Sequence, residues 1–109
     1  MIKQPLDVTP QVAGLCWIKE DQWSRLIEVA EDSASLEKTW QEWQEKSLEM
    51  IEVFATRNIL IEKVEVDVEA LIDWCQEREK PVNASSRAEY VTALMMEQKK
   101  LKTDQTTRH

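Results

Sequence analysis

Hydrophobic positions recur along this chain with two different periods, and the switches between them outline the elements. Trp23, Leu26, Ile27 and Ala30 fall at i, i+3, i+4 and i+7, which predicts a helix over residues 21–31 with Asp21 as its N-cap. Glu31 to Ser35 reads as a turn. Leu36, Trp40, Trp43, Ser47, Met50, Ile51 and Phe54 then share about 100° of arc at roughly 100° per residue, predicting a long helix over 35–57. Trp40 and Trp43 are its core anchors, and Asn58 is its left-handed stop. Glu42, Glu45, Glu49 and Glu52 lie on the opposite, wet side, where Glu42 and Lys46 form an i, i+4 pair.

At residue 59 the period changes. Ile59-Leu60-Ile61 leads into the alternation Val64-Glu65-Val66, which predicts a strand over 59–66. The other short apolar run, residues 12–18 (Val-Ala-Gly-Leu-Cys-Trp-Ile), is a candidate partner strand, parallel to the first if the two intervening helices form a crossover. Gly14, the only glycine of the chain, lies inside that run and marks a bend or a close backbone approach. Helical spacing returns with Val68, Leu71, Ile72 and Cys75, capped by Asp67 and ended by Pro81, giving a helix over 68–80 with Trp74 at the edge of its stripe. Ser86-Arg87-Ala88-Glu89 has the form of a capping box and opens a last helix over 86–98, with Tyr90, Val91, Leu94 and Met95 on its apolar face.

The expected architecture is therefore α+β and predominantly helical: about four helices (21–31, 35–57, 68–80 and 86–98) with a small β element at 59–66 that pairs with 12–18. Residues 1–98 form one domain, opened by an irregular or extended arm with Pro5 and Pro10. Residues 99–109, polar from Lys99 onward, form a flexible tail.

Composition narrows the range of activities. The 109 residues carry 14 basic and 21 acidic side chains, a net charge of −7. Residues 31–80 hold 14 acids against 6 bases. Such a field repels phosphate backbones, so nucleic acid is not an expected partner. Cys16 and Cys75 stand in no metal-binding spacing, no signal peptide is visible, and no apolar run has the length of a bilayer. These features point to a cytoplasmic protein without a membrane partner, in which Cys75 is a small buried hydrophobe. The only histidine is His109, so a Ser-His or Cys-His pair would depend on the last residue. A single glycine rules out a P-loop or a dinucleotide fingerprint. Asp67, Glu69 and Asp73 could approach a cation, but acids in a first helical turn already complement the helix dipole. No catalytic residues, cofactor or metal are expected, and the reading leans away from an enzyme.

Five tryptophans remain to be placed. Trp74, beside the start of the last helix, is the one expected to be half exposed. Arg87 and Tyr90 are three residues apart near the positive end of that helix, where an anion could be received. Arg87 could instead pair with Glu89 or with an acid of the preceding helix. Trp74, Arg87 and Tyr90 are thus the candidate partner or ligand surface.

The segment 61–96 also carries a resemblance. Lys63-Val64-Glu65-Val66-Asp67, the helix from Val68 to Glu79, and then Ser86-Arg87-Ala88-Glu89-Tyr90-Val91 resemble a ribbon-helix-helix unit. That resemblance implies a strand paired with its copy in a dimer and a role as a transcriptional regulator or antitoxin. The outward strand positions here are Lys63, Glu65 and Asp67, and two acids at a phosphate backbone oppose the DNA-binding half of the implication. Three function classes follow. The first is a small acidic non-enzymatic interaction or regulatory protein, as a homodimer or with an unidentified protein partner. The second is the ribbon-helix-helix-like regulator, and the third a small carboxylate-dependent enzyme or ligand-binding protein. The first is favoured, because the catalytic templates are missing.

Overall fold

The two apolar runs meet as strands. β1 (Gln11–Trp17) and β2 (Ile59–Glu65) pair in parallel, with Gln11 opposite Ile59 and Trp17 opposite Glu65. The computed structural model describes the backbone of residues 11–107 and side chains as far as Lys99. The arm expected over residues 1–10, and residues 108–109, lie outside these. Among the described residues the chain forms four α-helices and this two-stranded sheet, a predominantly helical α+β fold. The helices are α1 (Trp23–Val29), α2 (Trp40–Ala55), α3 (Val68–Glu77) and α4 (Ala84–Thr107).

Several ends differ from the sequence expectation, each for a local reason. A single 3-10 turn over Glu20–Gln22 precedes α1, so Asp21 lies inside that turn and Gln22 occupies the cap position without a side-chain bond. Gln22 is used elsewhere: its Oε1 accepts the free amide of Val68 at the start of α3. The long helix starts at Trp40 rather than residue 35, because Ser33–Ser35 form another 3-10 turn and the hydroxyl of Thr39 caps the helix by accepting from Glu42 N. Lys46 consequently pairs with Glu37 at 3.3 Å, not with Glu42. The last helix starts two residues early and continues to Thr107. Its capping box is Asn83 with Ser86, where Asn83 Oδ1 accepts from Ser86 N and Ser86 Oγ accepts from Asn83 N. Glu89, expected in that role, pairs with Lys80 instead. The Asp67 cap and the left-handed Asn58 stop are as expected.

The sheet separates two layers of helix. Side chains alternate across it, so Val12, Gly14 and Cys16 share a face with Leu60, Glu62 and Val64, and Ala13, Leu15 and Trp17 look the other way. α4 crosses the first face closely. A Cβ built on Gly14 would overlap Met95 Sδ and stand 2.6 Å from Val91 Cγ1. Glycine is therefore required here by the approach of α4, and its backbone dihedrals are ordinary. On the other face Trp17 meets Trp43 of α2, ring centroids 4.8 Å apart. The core itself gathers at the carboxyl ends of the strands: Ile18, Leu26, Val64, Val66, Val68, Leu71, Cys75 and Val91 are all buried. Cys75 is the small hydrophobe its spacing implied. The deeply buried tryptophans are Trp17 and Trp23, while Trp40 and Trp43 pack against the core half-buried. Stripe position alone did not rank them.

Candidate interaction surface

The three residues singled out from the sequence divide into two sites. Trp74 on α3 and Tyr90 on α4 stack with centroids 5.3 Å apart, and Trp74 is half-buried. Its exposed face is covered by cations from the loop that follows α3: the Arg78 guanidinium lies 4.2 Å from the ring centroid and Lys80 Nζ 5.9 Å. Arg78 also donates to the Trp74 carbonyl, which ties the cation to the end of its own helix. The Tyr90 hydroxyl is held above its ordinary pKa, chiefly by burial, with the Asp67 carboxylate adding to the effect. This cluster is satisfied internally.

Arg87 points away from it. Its guanidinium takes both oxygens of Asp32 in a fork, Nη2 to Oδ2 at 2.7 Å and Nη1 to Oδ1 at 3.0 Å. The Arg87 side chain is only 11% exposed, so the pair is largely removed from water. The Arg87 hydrogen bond holds the Asp32 carboxyl below its usual range, against the opposing effect of burial. Two further bonds stitch the same junction: Glu31 N donates to Val82 O, and Asn83 Nδ2 donates to Glu31 Oε1. The anion expected at the start of the last helix is thus supplied by the chain itself, from the turn after α1. A small cavity of about 230 Å3 beside Arg87 is lined by Cys16, Leu26, Leu36 and Trp43. Burial pushes the Cys16 thiol up to about 11, with Arg87 pulling the other way. A thiol in that state is protonated at neutral pH and is a poor nucleophile.

A second, open concavity lies elsewhere. A groove of about 680 Å3 runs between the amino-terminal half of the sheet and α4. Val12, Gly14 and Glu62 form its floor, and Ala88, Thr92, Met95 and Met96 form its helical wall, spaced along one side of α4. Val12 (55%) and Met96 (66%) are exposed here, far more than large apolar side chains in a closed core, and so is Leu60 (47%) beside Val12. Val12 and Leu60 are register partners on the same face of the sheet. From the sequence, an exposed apolar patch is expected near Trp74 or on the Tyr90–Met95 face of the last helix, and Met95 of that face lines this groove. Its signals were a glycine inside an apolar strand and the doublet Met95–Met96, which supplies flexible, polarisable side chains.

The strand of the ribbon-helix-helix resemblance sits in a different setting from the one that resemblance implies. β2 is occupied along one edge by β1 of the same chain, and Lys63 lies over the Trp17 ring at 4.5 Å. Among the described residues no three His, Cys, Asp or Glu side chains gather as a cation site, and no helix is long and apolar enough to cross a membrane. No protein-family model matches the chain, and no curated protein or solved structure matches it either.

Proposed function

We infer that this chain is a small non-enzymatic binding protein whose working surface is the methionine-lined groove between the sheet and α4. The observation that carries this reading is the groove itself: about 680 Å3, open to solvent, with exposed Val12 and Met96 at its rim. That volume lies within the range that binding clefts occupy, roughly 300–1,000 Å3. Apolar side chains left exposed together mark interaction sites more often than chance surface. Methionine walls repack around differently shaped apolar groups, which suits capture of an amphipathic segment of another protein. Glu62 and Lys99 both line the groove, so it carries charges of both signs and its apolar walls make the selection. The absence of a histidine before residue 109 and the inert setting of Cys16 support binding over catalysis.

A photoreactive residue placed at Met96 in cells that make the protein tests this directly. The expected result is a discrete adduct with one other protein, lost when Met95 and Thr92 are both replaced by glutamate, and missing when the photoreactive residue is placed at Glu45. A Met96 probe that gives no discrete adduct, or gives the same adducts as the Glu45 probe, refutes the reading.

A further inference from the structure

Among the described residues the outer edge of β1 has no partner strand, and two backbone bonds show which groups it presents. Gln11 N donates to Asn58 O and Val66 N donates to Trp17 O, so the odd-numbered residues of β1 turn their backbone groups toward β2. Val12, Gly14 and Cys16 therefore turn their N–H and C=O groups away from β2. No backbone bond takes up these groups among the described residues, and Gln11 to Gly14 are exposed. Two strands alone make a marginal sheet, and an open edge is a template for another strand.

We propose that a second copy of this chain pairs with β1 along that edge, antiparallel and about a two-fold axis, giving a four-stranded sheet ordered β2-β1-β1-β2. Charge selects the edge that a second copy can use. Each chain carries a net −7, so two copies attract only where the contact is poor in charge. β1 has no charged residue over Gln11–Trp17. β2 carries Glu62, Lys63 and Glu65, and full-length antiparallel self-pairing would set Glu62 at its centre against its own copy. β1 faces itself without that penalty, and it lacks the charges that usually block edges.

The position of α4 fixes the register. α4 crosses the sheet over Gly14, so pairing centred on Gly14 would drive the two helices together. Pairing centred on Ala13 sets Val12 opposite the copy's Gly14. The two Gly14 residues then stand about 8 Å apart, two residues along the strand and one strand spacing across, the distance at which two helices pack. Exposed Val12 lies at this junction. The dimer and the groove share Val12, so different assays tell them apart: subunit mass reports the β1 edge, and adducts at Met96 report the groove.

The test is sedimentation equilibrium of the full chain over about a hundredfold range of concentration, where mass action reads out a dimer. The wild type is expected to approach twice its 12.8 kDa, with dissociation on dilution. Val12→Pro removes an outward N–H while leaving the β1–β2 bonds in place, and Val12→Lys sets a like charge at the junction. Both should sediment at the monomer mass with unchanged far-UV circular dichroism. If the proline variant unfolds, the lysine variant decides, since its backbone is intact. Leu48→Lys, the same charge change on an exposed apolar residue of α2, should stay dimeric. A monomeric wild type at every concentration overturns the proposal, as does a dimer unaffected by both Val12 variants.

Discussion

Replacing Gly14 with alanine should destabilise the fold, although alanine in a strand is ordinarily the better residue. Three side chains receive the new methyl group: Met95 Sδ inside van der Waals distance, Val91 Cγ1 at 2.6 Å and Val64 Cγ2 at 3.4 Å. Met95 can swing its thioether aside. Val91 cannot, because it is β-branched, buried within α4 and held to one favoured rotamer. The methyl must therefore lift α4 from β1 or force Val91 off its rotamer, an overpacking cost of about 1–3 kcal/mol. Restricting the unfolded chain offsets about 0.4–1 kcal/mol of it. The net expectation is a loss of about 1–2 kcal/mol, or roughly 4–8 °C in melting temperature for a chain of this size. Urea unfolding followed by tryptophan emission measures it, since Trp17 lies on the same strand. Val91→Ala supplies the control. It costs stability alone, but combined with Gly14→Ala it opens the space the methyl needs, so the double variant should be more stable than the summed losses by about 0.5 kcal/mol or more. A Gly14→Ala protein as stable as wild type, or strict additivity with Val91→Ala, would refute the close approach of α4.

Other outcomes follow from the same contacts. The Asp32 carboxyl has a depressed folded-state pKa, so the stabilisation it brings is present above its unfolded value of about 4 and lost as pH falls through the folded one. Asp32→Asn should cost about 1–3 kcal/mol at pH 7 by leaving the Arg87 guanidinium without its anion, and should flatten the loss of stability between about pH 5 and about pH 2, as read from urea midpoints. Cys16, with its pKa pushed up to about 11, and Cys75, fully buried, should resist iodoacetamide in the native protein at pH 8 and react once urea unfolds it; rapid native labelling counted by mass would contradict the burial. Trp40→Phe should cost about 1–3 kcal/mol because it orphans the Ile18 carbonyl that accepts from Trp40 Nε1 at 2.8 Å. Trp23→Phe should cost less in the same unfolding assay, since the buried Trp23 Nε1 has no hydrogen-bond partner to lose among the described residues.

The parts of this fold legible in the sequence are those written locally. The strands at Gln11–Trp17 and Ile59–Glu65 followed from short apolar runs, and α3 followed from its stripe and the Asp67 cap, because each signal lies within a few residues of what it specifies. Gly14 announced a close approach, though not that Val91 and Met95 make it. The misplaced ends show where locality fails. Ser86 and Glu89 fit a capping box, but Asn83 fits one with Ser86 equally well, and Lys80 settles the competition by taking Glu89. Gln22 caps α3 across 46 positions of sequence, a separation that no local pattern encodes. Arg87 meets Asp32 for the same kind of reason, since that bond depends on how the turn after α1 docks against α4. The Tyr90–Met95 face pointed to the helical side of the groove, but its floor was hidden because it comes from two other segments that each read as ordinary core alone.

The tryptophans bear on where binding occurs, because their contacts account for most of them as structure. Each indole removes on the order of 150–250 Å2 from water, and short elements such as seven-residue β1 and α1 have little else to bury. Trp43 bridges Trp17 on the strand and Trp23 on α1, with centroids 4.8 and 5.4 Å away, so three indoles close the junction of sheet, α1 and α2. Trp40 latches the start of α2 to the chain just past β1. Trp74 is in contact with both the Tyr90 ring and the Arg78 guanidinium. A partner that used Trp74 would have to displace a guanidinium already in contact with the ring and bonded to the carbonyl beneath it. A partner entering the groove meets Met96 and Val12, which lose only water. The cheaper site is the one without a tryptophan, and this difference favours the β1–α4 side of the molecule for the proposed binding surface.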